Sequence, residues 1–407
     1  MTLIPRRSTW GPGSILPLYP VTPIPTQPQE TVVTTFASGH GYSFQTAGVG
    51  SQADDTAVFL RGLQSLRLTT DAINGPSWTR KSGISPAIDM TGKVFKMWVL
   101  FDHPENITEL QISAASTSFT DYYSWRVHDD LTQINKSPNT WIPLTFPFTH
   151  AVVTGSPSRS GIVAFQLRVR ASNGNIVKTY FGGISAINEQ SAGQAVVTFD
   201  DGYATVYTVA APYMAKYGFR GTAYIIPSRI GTTGYMTLAQ LISLQQDYGW
   251  CIACHHDTAM TLFGSQAAVE EQIKAIKKTM LDLGLNSGID HFAYPNGAYD
   301  ETNVLPIIRR YFRTARTIAN YPETNPAPDW HRLRVKQVQN TAVLSTATLN
   351  TSMTNAATDK STLVLVYHKI ETPDSATSQR SPASFQTDMD NLKASGLSVV
   401  TISEAYK

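Results

Sequence analysis

The sequence is short of cysteine, of charge and of long apolar runs, and each shortage excludes something. Its two cysteines, Cys251 and Cys254, stand in a Cys-x-x-Cys-His pattern that formally matches a c-type haem attachment, a redox pair or half a zinc site. There is no second cysteine pair to complete a thiolate zinc site. In an extended strand, residues three apart point to opposite faces, so the two thiols diverge. They are expected to be small, soft core residues on a strand leading into His255. Charged residues make up only 15% of the chain and the net charge is +2, which leaves no basic footprint for nucleic acid. No apolar run approaches the ~20 residues that span a bilayer. Met1-Thr-Leu-Ile-Pro-Arg-Arg-Ser-Thr-Trp10 lacks the apolar core of a secretory signal.

What is present is a change of pattern along 407 residues, a length that accommodates two domains with a sizeable core in each. Residues 1–30 are Pro-rich, with Pro17, Pro20, Pro23, Pro25 and Pro28 close together. They read as an arm or linker that docks on neighbouring protein subunits rather than folding alone. Residues 31–190 read as all-β. Val94 to Phe101 is a buried strand, and Val163, Phe165, Leu167 and Val169 alternate with polar neighbours. Turn residues such as Asn74-Gly-Pro76 and Asn173-Gly174 punctuate these runs. The expectation is a jelly-roll-like antiparallel sandwich, and the region resembles carbohydrate-binding modules. Its Tyr122, Tyr123, Trp125 and Trp141 either form a sugar-stacking platform or pack inward.

From residue 191 strands alternate with helices. Val269, Ile273, Ile276, Met280 and Leu283 fall on one helical face, with Lys274, Lys277, Lys278 and Asp282 on the others. Ser381-Pro382 opens a helix that carries Phe385, Met389 and Leu392 and stops at Gly396, before a last strand over 397–401. Such alternation implies parallel strands with right-handed crossovers. Gln194-Ala-Val-Val-Thr-Phe199 is a buried strand that runs straight into Asp200 and Asp201, at the end where α/β folds build their sites. Two adjacent carboxylates repel one another. They are tolerable where one binds a cation and the other serves as a base.

Thr198-Phe-Asp-Asp-Gly-Tyr203 resembles the first motif of the polysaccharide deacetylases, the NodB-homology fold of carbohydrate esterase family 4. The resemblance continues in order over residues 191–407. Gly221 to Pro227 is similar to the family's second strand. Met236 to Leu241 and then Gly249-Trp-Cys-Ile-Ala-Cys-His255 fall where the family has a short helix and a strand ending in a metal-binding His. His291-Phe-Ala-Tyr-Pro-Asn-Gly297 is similar to the third motif in a form with Ala293 in place of an Arg. Asp329-Trp-His-Arg-Leu-Arg334 and Leu363 to His368 stand at the last two motifs. The resemblance implies a distorted (β/α) barrel behind the sandwich.

It also implies roles. Asp201 and His255 would ligate a divalent metal, zinc first, with Asp200 as general base and His368 as general acid. The backbone N–H of Asn296 would help hold the oxyanion. Tyr203, Tyr294, Pro295, Trp330 and Arg334 would contact substrate, with Arg332 or Arg334 orienting the base. The family's His-x-x-x-His is broken, because Ala259 follows His255 where a second imidazole is expected. Metal binding is then weak or absent unless Asp257, His256 or a water fills the place. The function implied is deacetylation of a cell-surface or cell-wall polysaccharide or peptidoglycan. The alternative is a catalytically silent, carbohydrate-recognising protein of a virion. With no signal peptide in this sequence, the expected setting is a phage tail or the cell exterior. Assembly partners would bind through residues 1–30, and homo-oligomerisation is left open.

Overall fold

The computed structural model describes residues 30–126, 138–320, 323, 327–338, 346–374 and 379–407. All of the Pro-rich arm except Glu30 lies outside these residues.

Alternation writes the first unit. In Ala164–Ala171, Phe165, Leu167 and Val169 are buried while Gln166, Arg168 and Arg170 face the other way. Strands with one apolar face assemble here into two antiparallel six-stranded sheets. One runs Ser51–Asp55, Ser65–Thr69, Lys178–Asn188, Lys93–Phe101, Ile142–Phe146, with Thr31–Thr34 added beside Lys178–Asn188. The other runs Val152–Thr154, Tyr122–Arg126, Ile107–Ala115, Ala164–Ala171, Ser77–Lys81, Ser43–Phe44. Phe95, Met97 and Phe181 from the first sheet and Ile112, Trp125 and Leu167 from the second share one hydrophobic core. Trp125 is therefore a core residue, its indole N–H donating to the Pro147 carbonyl at 2.7 Å. Tyr123 packs against that core and donates its hydroxyl to Pro157. Trp141 covers Gly182, where a Cβ would meet its ring at 2.7 Å. Tyr122, by contrast, lines a cavity.

The second unit is a closed barrel. Its seven strands are Gln194–Phe199, Thr222–Ile225, Cys251–Cys254, Gly288–Ala293, Thr314–Asn320, Leu333–Gln337 and Thr362–Tyr367. Each is parallel to the next, and the first pairs with both the second and the seventh. Cys251 and Cys254 lie buried and unpaired on the third strand. Burial pushes their thiols up to about 11 and about 12, which removes the thiolate that redox or metal chemistry needs.

Local signals set the surrounding helices. The Ser265 hydroxyl accepts from the Ala268 N–H at the start of Gln266–Asp282, whose Val269, Ile273, Ile276 and Met280 face the core. Leu283 falls just past the helix as its C-cap. Lys277, expected on an outer face, is buried. Its ammonium donates to Asp290 at 3.0 Å and to the Tyr311 carbonyl at 2.7 Å, so paired groups on the neighbouring segment override the helical pattern. The expected last strand shrinks to Ser398–Val399, because the Thr401 N–H donates to Glu404 at 2.9 Å and opens the helix Ile402–Ala405.

The barrel also stores acid sensitivity. His291 is 3% exposed, its Nδ1 2.8 Å from the Thr314 hydroxyl. Burial first, with Arg313 and Lys277 adding to it against Asp290, holds its imidazole down at about 3. The folded His stays neutral while the unfolded one protonates near 6.5. Stability from this group is therefore complete above about pH 6.5 and is lost as pH falls towards 3, by on the order of 4 kcal/mol. Urea midpoints followed across that window should show a shallower acid limb in His291→Asn than in the wild type; coincident limbs would exclude His291 as the cause.

Candidate active site

The C-terminal ends of the barrel strands converge on a cavity of about 320 Å3. Strand one delivers Asp200 and Asp201, strand three His255, strand four Tyr294, Pro295 and Asn296, and strand seven His368. The Asp-Asp-Gly turn makes this placement local. Asp201 and Gly202 both take positive φ, +69° and +88°, a region that glycine enters freely and aspartate tolerates. A Cβ on Gly202 would also press on the Ile225 Cδ1 at 3.2 Å.

Asp200 is 4% exposed, and its N–H donates to the Tyr367 carbonyl at 2.9 Å. One carboxylate oxygen accepts from Arg316 Nη2, and the other lies 3.9 Å from His368 Nε2. Arg316 comes from the fifth strand, is fully buried, and rests 4.6 Å over the Tyr224 ring. The sequence reading missed it. Arg332 and Arg334, the candidates for this task in the sequence, are engaged elsewhere. Arg332 holds Asp329 at 2.7 Å and Glu301 at 2.8 Å, and Arg334 holds Glu323 at 3.0 Å. Both are buried outside the cavity lining, as is Trp330, which packs with Val196, Val335 and Tyr406. The Asp329–Arg334 stretch instead braces the site, since the Tyr294 hydroxyl donates to the His331 carbonyl at 3.0 Å.

Beside Asp200, the Asp201 carboxylate faces His255 Nε2 at 3.5 Å. His255 is 5% exposed, with Nδ1 2.8 Å from the Ala293 carbonyl. With Nδ1 held on the Ala293 carbonyl, Nε2 is the ring nitrogen that faces Asp201: it donates to the carboxylate when protonated and offers a lone pair when a cation takes that proton's place. Burial raises Asp201, but the His255 imidazole, His368 and Tyr203 outweigh it and hold the carboxyl below the ordinary range. An ionised carboxylate and an imidazole lone pair are cation ligands. Two donors each ~2.1 Å from a tetrahedral ion stand about 3.4 Å apart, close to the separation seen here.

Among the described residues no third His, Cys, Asp or Glu side chain is placed to join them, although His256 and Asp257 line the same cavity. Ala259 begins the turn Met260–Phe263. Asp257 is turned to the Ser228 and Thr258 hydroxyls at 3.3 and 3.0 Å. His256 Nδ1 accepts the Thr258 N–H at 2.8 Å, its ring stands edge-on to Phe263, and burial pushes it below the usual imidazole range. Among the described residues, no group of three His, Cys, Asp or Glu side chains is placed to hold a metal.

The remaining lining serves the mouth. Asn296 adopts φ +54°, ψ +18° in an exposed turn and lines the cavity. A Cβ on neighbouring Gly297 would lie 2.4 Å from Ile318 Cγ1. Tyr203 stacks on Tyr235 at 4.9 Å, and Tyr235, Arg229 and Gln337 also line the cavity. None of these three carried a sequence signal. His368 keeps 18% of its side chain exposed, and its Nδ1 has no partner among the described residues. Burial drives its imidazole down, against the upward pull of Asp200 and Asp201.

Residues 188–311 match the family model described as polysaccharide deacetylase. The Bacillus subtilis (strain 168) protein YxkH, named for the same family, is 30% identical over 106 residues, 26% of this chain and 38% of that relative's length. A family 4 carbohydrate esterase from Streptomyces lividans, solved with acetate, is 17% identical, covers 52% of this chain and 93% of its own, and has a TM-score of 0.38. The peptidoglycan deacetylase PdaC from Bacillus subtilis gives 15%, 53%, 90% and 0.37. A family 11 carbohydrate-binding module from Clostridium thermocellum, in complex with a mixed-linked tetrasaccharide, gives 12%, 39%, 95% and 0.30.

Proposed function

We propose, from a chain whose residues 188–311 form a polysaccharide deacetylase domain, that the barrel hydrolyses acetyl or related acyl groups from a cell-surface or cell-wall polysaccharide. The observation that carries this reading is the buried Asp200 carboxylate, clamped by Arg316 on one oxygen and open to His368 with the other. Acyl hydrolysis needs a base for the attacking water, donors for the developing oxyanion and an acid for the leaving group. Asp200 takes the water proton, and the planar Arg316 guanidinium fixes its direction. The Asn296 N–H donates to the acyl oxygen as charge builds on it. His368 protonates the departing amine or alkoxide. Burial keeps this imidazole neutral at rest, so it acquires its proton during the cycle, with Asp200 3.9 Å away.

Asp201 and His255 would hold a divalent cation, zinc by the chemistry of the donors, with water completing the shell. A cation bound there supplies polarisation of the water and the acyl carbonyl. Residues 31–190 are taken as a carbohydrate-binding-like sandwich that keeps the polymer near the barrel.

The absent third ligand favours a second reading, a silent carbohydrate-recognising module. Ala259→His separates the two. Under the hydrolase reading it tightens zinc binding about tenfold or more by calorimetry and raises acetate release from an N-acetylated glucosamine oligomer. Tightened zinc binding with no acetate from either form would support the silent module. Tight zinc binding by the wild type, unchanged in Ala259→His, would show that the place of the missing imidazole is already filled.

A further inference from the structure

On the outward side of the second N-terminal sheet, strand register places two rows of side chains next to each other. Trp78, Arg168 and Gln111 pair across three strands as one row, and Arg80 and Gln166 pair in the next. They face away from the core because Phe165, Leu167 and Val169 take the inward positions of the central strand. Phe119, from the loop before Tyr122–Arg126, closes over these rows with φ +68°, a conformation uncommon for a bulky residue and of the kind that clusters at ligand clamps. The result is a cavity of about 260 Å3 with Trp78, Phe119 and Tyr122 in its walls, near the lower end of the ~300–1,000 Å3 typical of ligand pockets.

Its charge is one-sided. The Arg80 guanidinium lies 4.1 Å from the Phe119 ring centre and 5.3 Å from that of Trp78, with Nη2 donating to Gln166 at 2.9 Å. Its Nε has no partner among the described residues. Arg168 meets Glu109 at 2.7 Å, but Glu109 stands outside the lining and is shared with Arg126 at 3.3 Å. Two guanidinium groups and no carboxylate therefore line the cavity.

We propose that this cavity binds a polysaccharide whose sugar rings carry carboxylates. Trp78 and Tyr122 offer flat apolar faces to the C–H side of a ring. The stacked, pre-oriented fork of Arg80, with Arg168 beside it, fits a ring carboxylate in the paired geometry that guanidinium favours. A neutral glucan would cover two guanidinium groups without repaying their lost water. The site goes beyond the proposed hydrolysis, and its binding does not depend on that chemistry.

The test uses the full chain and polygalacturonate, with fully methyl-esterified polygalacturonate as the uncharged control, by calorimetry and affinity electrophoresis. Binding to polygalacturonate should exceed binding to the ester at least about tenfold, and Arg80→Gln should remove most of that difference. Trp78→Ala should weaken both polymers. Because Trp78 also packs on Gly48, melting temperatures accompany the titrations, and Arg80→Gln is decisive if Trp78→Ala misfolds. Acetate release from a short N-acetylated glucosamine oligomer, which reports on the barrel alone, should be the same in wild type and both variants. Equal binding of the two polymers, or unaltered binding in Arg80→Gln, would overturn the proposal. So would a single-stranded oligonucleotide that binds more tightly than the uronate.

Discussion

Arg316→Met is expected to destabilise the chain by about 3–5 kcal/mol, because it leaves the Asp200 carboxylate buried without its cation. Acetate release should fall with it, since the base loses the group that fixes its direction. The pair has no solvent to fall back on: Arg316 is fully buried and Asp200 is 4% exposed. Loss of stability alone would not separate a structural ion pair from a positioning one, so the double variant matters. Arg316→Met with Asp200→Leu removes both charges and should recover much of the lost stability, as apolar replacements of buried pairs often do, while remaining inactive. Arg316→Lys keeps charge but not the planar fork, and should lower turnover more than it lowers the urea midpoint. A lysine variant with full turnover would show that direction does not matter here.

The second large effect divides the adjacent aspartates. Asp200→Asn should retain zinc binding and lose most turnover, since general base catalysis is typically worth ~10²–10⁴. Asp201→Asn should lose zinc binding and turnover together, because Asp201 faces His255 Nε2 and Asp200 faces Arg316 and His368. Calorimetric zinc titration beside acetate assays reads both. Equal loss of zinc in the two variants would refute the separate roles.

What the sequence made legible here is what local geometry determines. Asp-Asp-Gly needs a left-handed turn at a strand end, and the structure supplies it at Asp201 and Gly202. His255 and His368 follow directly on apolar strands, so their place at the barrel mouth comes from strand direction. The buttress for Asp200 was illegible because it arrives through barrel closure. Arg316 is remote in sequence, and its only mark is a lone charge inside the Thr314–Asn320 strand, which demands a partner. Arg332 and Arg334 stood nearer a recognisable motif, but Asp329, Glu301 and Glu323 claim them. In the first unit the face of a strand decides everything. Trp125 goes inward and Tyr122, on the same strand, reaches a cavity, an assignment that a shift of one residue would invert.

In the proposed function, Asp200, Arg316 and His368 work as a hydrolytic centre beside a cation held by Asp201 and His255. The direct measurement titrates metal-stripped wild-type protein with zinc while following heat and acetate release from an N-acetylated glucosamine oligomer. Binding should be weak and single-site, with acetate release that rises in step with occupancy and vanishes in Asp200→Asn. Zinc binding at this site with no acetate at any occupancy, or acetate release unchanged in Asp200→Asn, would contradict the proposed function.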